Sequence, residues 1–452
     1  MSIITNDAII ASSSKKTSRY RWFIGGLIFV IYTVAAADRA NLGVALPFIR
    51  QEFHMTNTEA GALSSLFLFA YAIAQIPSGF AYSKFRVRKI FSFSMIMTSL
   101  FTGMIGTVGS ALMLKICRFG LGLAEGPLPV GITSTINNWF PPQEKGTATG
   151  LFLAAVKFGP VIVPPVCSVV IMMFGWREIF FVFSLPGLLL SVAWYFLVTN
   201  HPSESPHCSA SELAFITETA RKETTQDVRH SSPTRSLAWL DKLIRSRPVT
   251  LLDDTNEVFA SWDIWGSTLG YFFMIGIVNV LLAWIPTYLM TVKHFSVMNM
   301  GLVAAAPWIG AVIGNIVGGF ISDKVIDKRR KPNMMITALS TTIMMYGLVH
   351  APNDPYLLGG LLFVTGILLN LGFSAYMVYP MGLTTKKAYP IACSIVNTGG
   401  QLGGACMALL TGIILDRYGW DEVWLFLSAC SFTTFLLLLT ISEPRPHINT
   451  GS

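Results

Sequence analysis

Five ionisable side chains sit inside stretches that are otherwise apolar. They are Asp38 and Arg39 in WFIGGLIFVIYTVAAADRANLGVALPF, Arg118 and Glu125 in ICRFGLGLAEGPLPVG, and Lys157 in LFLAAVKFGPVIV. Ions are expensive in hydrocarbon, so a charge retained there marks a proton relay, an ion path or a ligand site far more often than a helix fastener. Neighbouring residues on a helix diverge by about 100°, so Asp38 and Arg39 cannot fully satisfy each other and each needs a partner on another helix. Arg118 and Glu125, seven residues apart, return to one face after about 700°, with about 10 Å of rise between them. The economical arrangement is a cross-helix network in which carboxylates of one span neutralise cations of the other, since an unpaired buried ion is costly. Two acids against three cations leave one positive charge over, and a small monoanion would close the balance. A proton taken up by Asp38 or Glu125 would free Arg39 or a neighbouring cation to hold a carboxylate through two parallel hydrogen bonds.

The elements that must position these groups are membrane spans. The chain has 452 residues, 52% hydrophobic and 12% charged, with repeated apolar runs of about 20 residues, the length that crosses a bilayer. The runs fall near 22–46, 58–82, 90–108, 111–139, 147–172, 177–198, 262–290, 299–321, 334–350, 356–384, 390–414 and 421–440. They predict an all-α membrane protein with twelve transmembrane helices. A polar tail over 1–21 carries Lys15, Lys16, Arg19 and Arg21, and no cleavage-like site follows a short apolar core, so the first span is expected to be retained. With both termini in the cytoplasm, Lys84, Arg86, Arg88, Lys89, Lys145, Lys324, Lys328, Arg329, Arg330, Lys331, Lys386 and Lys387 all fall inside, as the positive-inside rule asks. The net charge of +8 is thereby a matter of topology, and cations spread over short turns argue against a nucleic-acid surface. Six scattered cysteines show neither metal nor disulfide spacing. No Walker loop and no metal-ligand cluster supports an enzyme.

The stretch 199–261 is polar and mixed in charge, and separates six spans from six. It reads as a cytoplasmic linker, with SELAFITETARK able to form a surface helix capped by Ser211. The flanking parts, 22–198 and 262–440, repeat each other, and 441–452 forms a second cytoplasmic tail. Gly79-Phe-Ala-Tyr-Ser83-Lys84 recurs as Gly319-Phe-Ile-Ser-Asp323-Lys324, and Gly175-Trp176-Arg177-Glu178 recurs as Gly419-Trp420-Asp421-Glu422. Two matches at nearly one offset point to two pseudo-symmetric six-helix bundles, with a ligand held between them near the midplane.

These words resemble the major facilitator superfamily, whose signature turn after the second and eighth helices is kept at Gly319 to Asp323 and has Ser83 in place of the acid after Gly79. The chain is more specifically similar to the anion:cation symporters, the branch of bacterial hexonate, hexuronate and glucarate carriers and sialin-like proteins. The matching words are Asp38-Arg39-Ala40-Asn41, Gln75-Ile76-Pro77-x-Gly79, Arg118-x-x-x-Gly122-x-x-Glu125-x-Pro127, Asn138-Trp139-Phe140-Pro141 and Trp284-Ile285-Pro286-x-Tyr288. The resemblance implies proton-coupled uptake of a small organic anion, most of all a sugar acid (hexonate, hexuronate or aldarate), by alternating access. The alternatives are an organic anion exchanger, or uptake of another carboxylate or a sulfonate. It further implies a monomer in a bacterial inner membrane, driven by a proton gradient with no cofactor. Asp38 and Glu125 match the family's proton carriers, Arg39 its substrate arginine, and Tyr71 a position near substrate.

Hydroxyl and amide partners for a sugar acid are expected among Tyr71, Asn370, Ser374, Tyr376, Tyr379, Asn397 and Gln401. Lys157 departs from the family, which commonly has glutamine at the position of Val156. By the repeat offset Lys157 mirrors Gln401, and an added ammonium points to a more acidic substrate, a dicarboxylate or a sulfonate, or to a partner for Glu125.

Overall fold

The computed structural model describes residues 19–223, 244–248, 250–326, 329–385 and 388–445. Among these, the first half contributes α1 (Tyr20–Phe53), α2 (Asn57–Lys84), α3 (Val87–Ile105), α4 (Ala111–Glu125), α5 (Leu128–Trp139), α6 (Pro142–Phe174) and α7 (Trp176–Leu197). The linker adds α8 (Ala210–Glu223), β1 (Ser246–Pro248) and α9 (Thr255–Ala260). The second half holds α10 (Trp262–Thr291), α11 (Val297–Phe320), α12 (Lys331–Gly347), α13 (Pro355–Asn370), α14 (Phe373–Leu383), α15 (Tyr389–Arg417) and α16 (Trp420–Thr440), followed by β2 (Glu443–Arg445).

Nine helical segments among the described residues are long and apolar enough to cross a membrane. Three of the twelve expected spans fall short of that criterion while remaining helical. They are α3, which opens on Arg88 and Lys89, the short α12, and the run 111–139. That last run breaks after Glu125, because Pro127 has no N–H to offer the preceding turn; the Ser94 hydroxyl donates to the carbonyl of Ala124 beside the break. The run 356–384 breaks in the same place of the second half, at Leu371-Gly372.

The pairings of the first half recur in the second. Helix α1 packs on α6, α2 on α4 and α3 on α7; correspondingly α10 packs on α15, α11 on α13 and α12 on α16. Between the halves α1 meets α10, α2 meets α15 and α6 meets α11. Apolar side chains left outward, such as Phe93, Ile116, Met172, Phe196, Ile316 and Ile343, form the surface that a bilayer covers.

The two halves close on each other at one end. There a single core joins Leu46, Met55, Leu63 and Cys167 of the first half to Leu281, Tyr288, Met300 and Trp424 of the second. A Cβ at Gly43 would collide with the carbonyl of Leu282, and one at Gly412 with that of Asn57. The first turn of α2 is completed from the other half: Asp416 accepts from the amides of Asn57 at 2.8 Å and Thr58 at 2.7 Å, beside the capping box of Thr56 and Glu59. At the opposite end a second core, built on Ile24, Phe91, Trp139 and Trp194, belongs to the first half alone. A Cβ at Gly79, Gly146 or Gly319 would meet nothing within 4 Å.

Two details differ from the sequence reading. The linker helix is capped by Ser209, whose hydroxyl accepts from the amide of Glu212 at 3.2 Å, and not by Ser211. The all-α expectation meets one small parallel sheet, β1 on β2. It docks the tail: Glu443 accepts from the amides of Arg330 at 2.9 Å and Lys331 at 2.7 Å. The Lys331 ammonium donates to the carbonyls of Ile244 and Ile441, both at 2.7 Å. At the other end of the linker, Glu212 accepts from the amides of Tyr20 and Arg21 and from the Arg21 guanidinium, which also binds Glu144.

Candidate functional site

Asp38 and Arg39 lie past the middle of α1, and Glu125 is the last residue of α4. The Arg39 guanidinium reaches Glu125 Oε1 from Nε at 2.9 Å and from its terminal nitrogen at 2.7 Å. Glu125 is wholly buried, and its second oxygen, Oε2, has no partner among the described residues. The Arg39 side chain keeps 18% of its surface exposed and lies 4.5 Å over the ring of Tyr71 and 5.7 Å from that of Phe67. One cation is thus held by a single carboxylate oxygen on one side and by an aromatic face on the other.

The second expected pairing does not form. Arg118, 1% exposed, pairs with no carboxylate among the described residues; it donates to the backbone carbonyls of Asp38 at 3.3 Å and Leu63 at 3.5 Å and lies 4.5 Å over Phe67. The Asp38 carboxyl instead takes the side-chain amide of Asn41 at 3.2 Å, one turn along its own helix. Carbonyl dipoles and a π-face therefore take the place of an ion pair around Arg118, and no cation among the described residues is in hydrogen-bond contact with the Asp38 carboxyl.

Lys157 crosses between the halves. Its ammonium lies 2.9 Å from Oδ1 of Asn370 on α13 and 4.2 Å over the ring of Phe373 at the start of α14. It is not a partner of Glu125. Asn397 on α15 donates to Gln75 Oε1 on α2 at 3.2 Å, a second amide bridge across the same interface. Gln401 is half-buried and makes no hydrogen bond among the described residues.

The two C-terminal tyrosines depart from their expected place beside a ligand. Tyr376 is fully buried, and its hydroxyl has no partner among the described residues; its ring packs 5.3 Å from Tyr271, which in turn lies 5.5 Å from Phe373, so it stands one layer behind the ring under Lys157. Tyr379 sits nearly one turn further along α14, and its hydroxyl is taken by the carbonyl of Ser442 in the docked tail. It serves that junction and not the site. Gly79 and Gly319 both lie at the end opposite the shared core, where a Cβ on either would meet nothing within 4 Å, and the side chain of Asp323 lies outside the described residues. Gln75 enters the sequence reading only as part of the word Gln75-Ile76-Pro77-x-Gly79, with no role attached, and Phe373 does not enter it. An amide two positions before Pro77 in an apolar run is a signal for the first, whereas nothing distinguishes Phe373 from any other core aromatic.

Taken together, the fold and site define a multi-pass helical membrane protein of two repeated bundles, with ionisable side chains buried in the first and one of them, Lys157, bridging to the second. Solved structures share that architecture. The D-xylose-proton symporter matches with a TM-score of 0.71 at 16% identity, over 94% of this chain and 98% of that one. Among sequence relatives, the probable galactarate/D-glucarate transporter GudP of Bacillus subtilis (strain 168) is 26% identical over 98% of this chain and 96% of its own length. The hexuronate transporter of the same organism is 26% identical over 93% and 94%. The profile of the Major Facilitator Superfamily matches residues 28–352 and 324–452, and the chain belongs to that superfamily as a transporter, not an enzyme.

Proposed function

We propose that this chain carries a small organic anion, a sugar acid before other carboxylates, across a bacterial inner membrane together with protons, by alternating access. The observation that carries the reading is the Arg39–Glu125 pair with its bare oxygen. In the conformation seen, Glu125 occupies the guanidinium that a substrate carboxylate would need. A proton on Glu125 removes the charge that holds Arg39, and the freed fork then presents two parallel donors to an incoming carboxylate. Proton and anion thus bind as one event. Asp38, buried beside Asn41 with Arg118 on its backbone carbonyl, supplies a second protonation site on the same helix. Tyr71, Asn397 with Gln75, and Gln401 line the faces that meet between the halves and offer hydroxyl and amide contacts. The names of the relatives support sugar acids as cargo, and the proton symporter of the same fold supports the coupling.

Both termini face the cytoplasm in this reading, and the end carrying Asp416 faces outward. The arrangement therefore presents the site inward with the outer end shut, and the protein works as a monomer in the lipid bilayer with no cofactor.

The test is uptake into proteoliposomes under an imposed pH gradient, across hexonates, hexuronates and aldarates, with Asp38→Asn and Glu125→Gln in parallel. Gradient-driven accumulation should be lost in both variants while counterflow exchange of the same anion survives. Accumulation indifferent to the gradient, or intact in both variants, would replace proton symport by anion exchange.

A further inference from the structure

The relatives' names span acids with one carboxylate and acids with two, so likeness alone does not say which this chain takes. Lys157 does. Among the described residues it has no carboxylate partner: one donor goes to the neutral Asn370 and its charge rests on the Phe373 ring. Asn370 is held for this purpose. It is 1% exposed, and its own amide is committed to the carbonyl of Gly366 at 3.0 Å, which turns Oδ1 toward the ammonium. An ammonium has three donors, so the site leaves room for an anionic oxygen.

The other cations are already engaged, Arg39 by Glu125 and Arg118 by backbone carbonyls and Phe67. Gly159 packs on Thr33 and Ala36 of α1, which sets Lys157 about seven residues short of Arg39, or about 10 Å along the bundle axis. Both side chains are reached by solvent, and both are long enough to lean toward a ligand lying between them.

Building on the sugar-acid reading, we infer that Lys157, presented by Asn370 and Phe373, is a second anion pole, and that the preferred cargo is a dianion bearing acid groups at both ends of a short polyhydroxylated chain. One carboxylate meets Arg39 when Glu125 is protonated, and the other meets Lys157 on α6, whose ammonium already bridges to Asn370 of the second half. A cargo that touches the first half at one end and the Lys157–Asn370 bridge at the other closes the two halves on itself. A monoacid satisfies one pole and leaves the ammonium on its neutral amide.

The experiment is equilibrium binding to the purified full-length protein in detergent, comparing gluconate with glucarate, which differ only at the terminal carbon, for wild type, Lys157→Gln and Lys157→Arg. Wild type should bind glucarate about tenfold or more tightly than gluconate, the weight of one charge-assisted contact. Lys157→Gln should bring the ratio near one by weakening glucarate alone, and Lys157→Arg should keep it. Equal affinities in wild type, or an equal loss of both acids in Lys157→Gln, would overturn the second pole while leaving the sugar-acid reading standing. Binding of neither acid by a wild-type protein that is folded by circular dichroism would overturn both.

Discussion

At the level of single residues, the site separates two cations that look alike in sequence. Arg39 is held by one carboxylate oxygen and an aromatic face, with solvent access, while Arg118 is buried among carbonyls. Replacing Arg39 by Lys keeps the charge and loses the planar fork, so affinity for any carboxylate cargo should fall about tenfold or more in a binding titration. Arg118→Lys should act chiefly on folding, because a single ammonium cannot reach both carbonyls and spread over Phe67; thermal unfolding in detergent should drop while the residual folded fraction keeps its affinity. The charged residues themselves are legible in the sequence, since an ion in an apolar run declares itself. Their partners are not, because pairing depends on which of several neighbouring helices presents its face. Asp38 takes Asn41 on its own helix, and Tyr379 goes to the tail because one turn of α14 moves it out of reach.

At the level of elements, the tail and linker form a junction that hydropathy cannot foresee, since it is built from backbone groups. Glu443 is nearly fully buried, and burial pushes its carboxyl up to about 7, against the pull of the Arg330 and Lys331 amides and the Lys331 ammonium. The docked tail thus holds a proton that a free tail gives up. The stability this contributes is fully present below the ordinary glutamate value of 4.5 and is lost as pH rises through about 7. Hydrogen exchange over β2, corrected for intrinsic rates, should show protection declining across that window, and Glu443→Gln should flatten the decline. The broken runs 111–139 and 356–384 follow the same lesson. Their spans are plain from length, and Pro127 marks the first break, but Leu371-Gly372 carries no comparable signal.

At the level of the whole molecule, repetition is legible in two short words, and the fold extends it to every helix pairing described. What repetition cannot reveal is which end is shut. That is decided by contacts between the halves, of which Asp416 on the first turn of α2 is the most specific. Asp416→Ala removes a helix cap worth about 1 kcal/mol and should move the balance between the two orientations about fivefold toward one open at the Asp416 end, the outer end in the proposed topology. The check is labelling of Leu282→Cys by an impermeant maleimide from outside, with the six native cysteines replaced by serine. Unchanged labelling would remove Asp416 from the closure.

The surplus of one positive charge among the five membrane-embedded side chains also makes the empty site sensitive to voltage. An interior-negative potential of about 100 mV favours, by up to about 2.3 kcal/mol per charge, the orientation in which that surplus lies on the inner side of the electrical barrier. In the proposed topology, voltage and the Asp416 cap would hold the unloaded carrier in the same posture, and cargo that neutralises the site would release it from the first of these restraints. In the proposed cycle the return of the empty protein, and not the passage of the loaded one, would be the step that feels the membrane potential.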